Sequence, residues 1–293
     1  MLSLKFLIRC CCDNAERKEE DQGEKLPKFK MEQKKTTLYQ SINDSEGKNL
    51  EENINAAPFP QNGVDPISYP KLFLQILEST KIDPGTILTI TATGLQNSKR
   101  NKSDFKTYIG SQLQDKGEVL NDFVIPEESD GMGKQHLLIK FNTSTNKYLI
   151  SDLGDGSGTF VKLDTDILLR NEYIISFGNS HMKILLNSIS DKLGVKFIEG
   201  PKTAEEFFFA PSDEVVLIGR MNDCRVRFED SNMSRYQCSI LYQQTRGWVL
   251  RDGINSKRST NGTWIYVEEE FEIEDKMVFK AGKTLFEANL QVN

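Results

Sequence analysis

Apolar residues in this chain form short runs, many of which alternate with polar residues. The runs are Lys71–Leu77, Ile87–Thr91, His136–Phe141, Tyr148–Ser151, Val215–Ile218, Trp248–Leu250 and Trp264–Val267. Gly, Asn, Asp and Ser separate such runs, as they do in the turns between short strands. Long stretches with the period of an amphipathic helix are absent. The pattern therefore predicts an all-β fold, either a sandwich or a barrel.

The second half of the chain repeats the order of the first half. The aligned segments are His136–Ile139 with Gln237–Ile240, Tyr148–Asp152 with Trp248–Asp252, and Ser157–Phe160 with Asn261–Trp264. The offsets are 101, 100 and 104 residues, so the differences in length fall in loops. A repeat of this kind indicates two copies of one fold. We therefore predict β domains at 67–190 and 194–293, with a linker near Asp191–Gly194.

Residues 1–65 have a different composition. From Asp13 to Asn55 the chain consists mainly of Lys, Glu, Gln, Asn and Asp. Such a segment cannot bury enough apolar surface to offset its conformational entropy, so we predict a disordered tail and linker.

Residues 1–12 combine a short apolar, slightly basic stretch with Cys10, Cys11 and Cys12. Adjacent thiols lack the spacing of a zinc site, and no small-residue cleavage site of a signal peptide follows. Two acyl chains suffice for stable membrane anchoring, so the three cysteines are candidate S-acylation sites and the segment a candidate lipid anchor. The alternative is a tail in which the cysteines have no such role.

Composition and charge exclude several classes of protein. The chain has 37 Lys+Arg and 43 Asp+Glu, a net charge of -6. Proteins that hold nucleic acid usually show a basic excess, so we expect no nucleic-acid partner. No apolar run reaches the roughly 18–20 residues that a membrane-spanning helix needs. The five cysteines are odd in number and form no disulfide framework, which predicts an intracellular, cytoplasmic protein.

Catalytic and metal-binding patterns find little support. The two histidines, His136 and His181, leave little material for a histidine metal site or a catalytic triad. The glycine-rich stretch Gly154–Thr159 leads into an apolar strand, whereas a P-loop leads into a helix. We therefore predict a non-catalytic protein with no cofactor and no metal.

Short motifs of the C-terminal half occur in a recognisable order. They are Gly219-Arg220, Ser234–Gln237, Trp248–Asp252 and Ser259–Thr263. This order resembles the forkhead-associated (FHA) domain, whose signature is Gly-Arg, Ser-Arg-x-His and Asn-Gly-Thr. The resemblance covers residues 194–293 and implies a β-sandwich whose loops at one end bind phosphothreonine peptides. By extension, residues 67–190 resemble a second FHA domain.

The resemblance implies a phosphate site built from four side chains. A phosphothreonine carries a charge of about -1.5 to -2 and three acceptor oxygens. Arg220 would supply a planar, permanently charged fork, and Ser234 a hydroxyl donor. Arg235 would add a second cation, and Thr260 a donor from the opposite loop.

Other motif residues would shape the site. Asn261 would hold the peptide main chain, since an amide both donates and accepts. Gly219 and Gly262 suit a close backbone approach or a positive φ. Gln237 stands where the family has a histidine that orders the loop. Because glutamine also donates and accepts, we expect the pocket to survive this change.

Local charge agrees with an anionic ligand. Residues 220–258 contain eight Lys+Arg and four Asp+Glu, whereas Glu268–Asp275 contains six acids and no base. The basic excess therefore lies in the segment that carries the motifs, where it would steer an anion to the site.

The N-terminal half departs from the signature at the ligand positions. Gly110-Ser111 replaces Gly-Arg, Gly133–His136 lacks the serine hydroxyl, and Ser157–Thr159 lacks the asparagine. Hydrogen bonds to a charged group are worth about 1.5–3 kcal/mol each, so this domain should bind phosphothreonine at least about 100-fold worse. We predict that it is a structural or protein-contact module.

Together these features predict a non-catalytic adaptor that docks onto a threonine-phosphorylated partner protein, with a membrane surface as a further contact of the acylated tail. The rival prediction is a scaffold in which both sandwiches make phosphate-independent contacts. The joint presence of Arg220, Ser234 and Asn261 favours the adaptor. Gln237 and the decayed first domain favour the scaffold.

Overall fold

A computed structural model describes residues 69–126 and 131–291 of the chain. The predictions of a disordered tail and of acylation at Cys10, Cys11 and Cys12 lie outside these residues. Apart from one 3-10 turn at Pro211–Asp213, the regular structure of these residues is β, which confirms the predicted fold class. Within the described residues, no helix has the length and apolar character needed to cross a membrane.

The strands follow the alternating sequence pattern. The first ten are β1 (Lys71–Glu78), β2 (Ile87–Thr91), β3 (Gly94–Leu95), β4 (Lys106–Gly110), β5 (Gln114–Asp115), β6 (Glu118–Val119), β7 (Phe123–Val124), β8 (Leu137–Asn142), β9 (Lys147–Asp152) and β10 (Thr159–Lys162). In β1, for example, Leu72, Leu74 and Ile76 are buried and the residues between them face outward. A strand with this period presents one face to a core.

The remaining strands belong to the second part of the chain. They are β11 (Ile167–Leu168), β12 (Ile174–Phe177), β13 (Ser180–Asn187), β14 (Lys192–Glu199), β15 (Glu206–Phe209), β16 (Val215–Gly219), β17 (Val226–Arg227), β18 (Cys238–Gln243), β19 (Gly247–Asp252), β20 (Trp264–Tyr266), β21 (Phe271–Glu272), β22 (Val278–Ala281) and β23 (Thr284–Gln291).

Two sandwiches share one long sheet. Its eleven strands run in the order β15-β14-β13-β12-β20-β10-β22-β23-β1-β2-β3. One five-stranded sheet, β21-β9-β8-β4-β7, packs against the half that contains β1. The other, β11-β19-β18-β16-β17, packs against the half that contains β14.

Each sandwich takes strands from both sequence repeats. One core combines residues of the first repeat, such as Leu72 and Ile139, with Phe279 and Phe286 near the C-terminus. We call this unit, residues 69–162 and 266–291, the outer sandwich. The other core draws all its buried members from 163–265, and we call this unit the inner sandwich.

The exchange takes place at the pair β10–β20. These two strands hold the same position in their repeats and pair antiparallel, with Phe160 opposite Tyr266 and Val161 opposite Ile265. After β10 the chain passes to the inner sandwich, where β11 pairs with β19 and β12 with β20. After β20 it returns to the outer sandwich, where β21 pairs with β9 and β22 with β10.

The structure divides the chain differently from the predicted ranges 67–190 and 194–293. The expected linker near Asp191–Gly194 is the start of β14, which pairs with β13 through a short turn. The sandwiches separate instead after Lys162 and after Ile265. The reason is that the strands beyond β10 and beyond β20 bury their apolar faces in the sandwich of the other repeat.

Candidate functional site

The structure brings the predicted ligand residues of the second repeat together in one groove of the inner sandwich. The groove has a volume of about 500 Å³. Its lining includes the five predicted residues Arg220, Ser234, Arg235, Thr260 and Asn261. It also includes Tyr236, which lies within a motif but was assigned no role, and Met233, Ile254, Lys257 and Arg258, which lie outside the motifs.

One wall of the groove is formed where β16 ends. A Cβ on Gly219 would lie 2.4 Å from the carbonyl oxygen of Arg235, so only glycine lets the loop carrying Arg235 pass this closely. The Arg220 N–H donates to the carbonyl oxygen of Ser234 at 3.3 Å and links the two segments. The side chains of Arg220 and Arg235 are exposed, and neither makes an ion pair with a described residue.

The opposite wall is the loop between β19 and β20. The Thr260 N–H donates to the Ser234 hydroxyl oxygen at 2.9 Å, so the hydroxyl proton of Ser234 remains available to a ligand. The indole N–H of Trp264 donates to the carbonyl oxygen of Asn261 at 3.2 Å. Gly262 has a φ of +77°, the left-handed conformation that glycine adopts without strain.

Gln237 holds the two walls together from below. It is 1% exposed, and its Nε2 donates to the carbonyl oxygen of Gly262 at 2.9 Å and to the hydroxyl of Ser259 at 3.0 Å. The carboxylate of Asp252 accepts further hydrogen bonds from Ser259 at 2.6 Å and from Thr263 at 2.7 Å. The walls are therefore fixed before any ligand arrives.

Two backbone donors of the groove have no partner in the part of the chain that the structure describes. The N–H groups of Arg235 and Tyr236 make no hydrogen bond with any residue in the described ranges. The equivalent donors of the outer sandwich, on Lys134 and Gln135, point to Oδ2 of Asp155 at 2.5 and 3.3 Å. The same loop thus holds a carboxylate in one repeat and leaves an open anion position in the other.

The corresponding end of the outer sandwich is closed. A Cβ on Gly133, which stands where the other repeat has Ser234, would lie 2.3 Å from the carbonyl oxygen of Asp155. The side chain of Asn121 donates to the carbonyl oxygens of Gln112 and Lys134, which holds the β5–β6 hairpin against the same loop.

The histidines have structural environments. His136 is fully buried, and its Nδ1 accepts the N–H of Gly133 at 3.0 Å. His181 lies on β13, where burial lowers its pKa, Lys280 lowers it further and Glu199 opposes the shift.

Burial raises the pKa of the free thiols of Cys224 and Cys238. Over the described part of the chain, no group of His, Cys, Asp and Glu could hold a metal ion.

Comparison with protein families adds an independent observation. The model of the FHA domain matches residues 103–178 and again residues 216–282. Comparison with curated proteins gives no match. FHA domains are in general phosphothreonine-binding protein-interaction modules and are typically non-catalytic. The two matches confirm the family and the tandem order of its motifs that the sequence predicted.

Proposed function

Since the chain belongs to the FHA domain family, we propose that it is a non-catalytic adaptor that binds threonine-phosphorylated proteins through the groove of the inner sandwich. The observation that carries the proposal is the open anion position at the N–H groups of Arg235 and Tyr236. In the other repeat the equivalent donors hold the carboxylate of Asp155. A phosphate group offers the same acceptor chemistry with more charge and one more oxygen.

The side chains around this position suit a phosphothreonine. The guanidinium of Arg220, with no carboxylate partner among the described residues, would form two parallel hydrogen bonds to the phosphate. Ser234 would donate its hydroxyl proton, and Asn261 would pair with the peptide main chain. Because Gln237 and Asp252 already fix the loops, little conformational entropy is lost on binding.

The test is a titration of the full chain with a degenerate phosphothreonine peptide library, with unphosphorylated and phosphoserine libraries as references. We expect selective binding of the phosphothreonine peptides. Arg220→Ala should weaken it by about 10–100-fold, or about 1.5–3 kcal/mol, with the fold intact.

Arg227→Ala is the matched control for this variant. Arg227 is an exposed arginine on the neighbouring strand β17 and does not line the groove. Its removal should leave affinity within about two-fold of the wild type. Equal losses in both variants, or no phosphothreonine selectivity in the folded chain, would favour the scaffold alternative.

A further inference from the structure

The crossover from β10 to β11 runs beside one wall of the groove. Arg258 lines the groove and also a neighbouring cavity of about 230 Å³ that the crossover forms with the β19–β20 loop. Its Nη1 donates to the carbonyl oxygen of Leu163 at 3.1 Å and to Oδ1 of Asp164 at 3.0 Å. Its Nη2 donates to the carbonyl oxygen of Asp164.

These contacts join the two sequence repeats. Leu163 and Asp164 leave the first repeat after β10, whereas Arg258 belongs to the second repeat, 94 positions beyond Asp164. Arg258 directly precedes Ser259, Thr260 and Asn261, the segment that faces Ser234 across the groove. The crossover thus meets the ligand-facing wall through the Arg258 guanidinium and through the Leu163 N–H, which donates to the carbonyl oxygen of Thr263 at 2.8 Å.

The orientation of Arg258 matters more than the energy of its ion pair. The side chains of Arg258 and Asp164 are 52% and 49% exposed, and ion pairs at such sites contribute little to stability. Three acceptors nevertheless fix the direction of a planar group. Removal of the Asp164 carboxylate would leave the two carbonyl acceptors but take away the one charged acceptor, so the guanidinium would be held less firmly in a groove that already contains Arg220 and Arg235.

We propose that Asp164 is a positioning residue for phosphothreonine binding, which acts through Arg258 on the wall that carries Thr260 and Asn261. The inference rests on the proposed function. It means that the ligand groove of the second repeat is completed by a residue of the first repeat.

The experiment measures the affinity of the full chain for the phosphothreonine peptide that the wild type selects from the library. Asp164→Ala should weaken binding about three- to ten-fold, because the wall loses its preorganisation. Asp164→Glu, which keeps the carboxylate, should restore most of the affinity. The slope of log Kd against log salt should stay as in the wild type, since Asp164 does not contact the phosphate.

Asp166→Ala is the matched control. Asp166 lies on the same crossover and forms an ion pair with Arg251, with N–O distances of 2.9 and 2.6 Å, but Arg251 does not line the groove. Affinity should stay within about two-fold of the wild type. An equal loss in this control would overturn the inference, because it would indicate a general structural effect.

Two further outcomes would overturn the inference. Unchanged or tighter binding by Asp164→Ala, with a steeper salt dependence, would mean that Asp164 only neutralises Arg258. That result leaves the proposed function intact as long as Arg220→Ala still weakens phosphothreonine binding by about 10–100-fold. Failure of the wild type itself to select phosphothreonine would overturn the proposed function and this inference together.

Discussion

Gln237 joins the two walls of the groove with a neutral side chain. An imidazole at this position would change its charge between pH 5 and 8, whereas the amide does not titrate. The hydrogen bonds from Gln237 to Gly262 and Ser259 therefore persist across this range. A departure from the family signature here preserves the architecture that the sequence led us to expect.

Replacing Gln237 with leucine tests this role. Gln237→Leu keeps the volume but removes the donor to the buried carbonyl oxygen of Gly262. We expect the free energy of unfolding to fall by about 1–3 kcal/mol, because a buried acceptor is left unsatisfied. Urea unfolding, followed by the fluorescence of Trp248 and Trp264, measures this free energy of unfolding. Gln243→Leu, on the same strand β18, should change stability by less than about 0.5 kcal/mol. Equal effects would argue against the role.

His181 makes stability depend on pH in a direction that can be derived. Its pKa is lowered from 6.5 by burial and by Lys280, while Glu199 opposes the shift. Below pH 6.5 the unfolded chain therefore binds a proton that the folded chain does not, so stability from this group is lost as the pH falls.

His181→Gln should flatten that fall. Urea unfolding at several pH values between about 7 and 5 compares the slopes of the variant and the wild type. Other groups still titrate in the variant, so the slope should decrease and not vanish. A slope identical to that of the wild type would show that His181 titrates alike in both states.

At the scale of elements, one loop serves two purposes in the two repeats. The inner sandwich leaves two backbone N–H groups of this loop open. In the outer sandwich the equivalent N–H groups donate to the carboxylate of Asp155. Asp155→Ala should lower the unfolding free energy by about 0.5–1.5 kcal/mol, since it removes an exposed charged acceptor from two donors that water can then reach. It should create no phosphothreonine binding, because Ser111 offers no guanidinium and Gly133 no hydroxyl.

The outcome is measured by urea unfolding and by peptide titration, both compared with Arg220→Ala alone, a background in which the inner groove should bind phosphothreonine only weakly. Asp115→Ala, in the exposed hairpin β5–β6, is the reference for a carboxylate that caps nothing in the structure. New binding in Asp155→Ala would mean that the outer sandwich is an occluded receptor, contrary to its proposed structural role.

The sequence predicted the strands well because the alternation of apolar and polar residues is a local pattern within each strand. The predicted run Ile87–Thr91 has the same bounds as strand β2, and the predicted run Tyr148–Ser151 lies within β9. The groove was also predictable, since its residues stand in short motifs. The roles of Asp155 and Asp164 could not be predicted, because their contacts depend on loops that approach each other only after folding.

The strand exchange could not be predicted from the order of motifs. The family match at 103–178 runs straight through the crossover after Lys162, so the order is the same whether strands stay or exchange. Strand β13 alternates buried and partly exposed residues, as β1 of the other sandwich also does, so its pattern does not indicate which core it joins. The choice is made by a long-range pairing, Val161 with Ile265, which leaves no local signature.

At the scale of the molecule, the segment that forms the inner sandwich is inserted in the sequence between the two segments that form the outer sandwich. The pairing of β1 with β23 places Lys71 opposite Gln291 at the ends of the described unit. Because both crossovers follow equivalent strands, removal of either repeat would take strands from both sheets of each sandwich. The two repeats should therefore behave as one folding unit.

Two cysteine pairs distinguish this exchanged arrangement from two independent domains. Gln75 lies opposite Glu287. In the inner sandwich Lys196, the counterpart of Gln75, lies opposite Lys183. Without exchange, Gln75 would therefore face Lys183. Both pairs are introduced by substitution to cysteine into a full chain in which Cys10, Cys11 and Cys12 are serine, with a protease site at Ile189, which is 97% exposed.

Exchange predicts that oxidation links Gln75→Cys to Glu287→Cys and that the two halves remain joined on a non-reducing gel after cleavage. The variant with Gln75→Cys and Lys183→Cys should keep its thiols free, because the exchanged fold places these strands in different sandwiches. Independent domains would give the reverse: halves that separate after cleavage in the first variant, and a closed disulfide within the N-terminal half in the second. The gel therefore shows which strands pair, even if two independent domains associate through their surfaces.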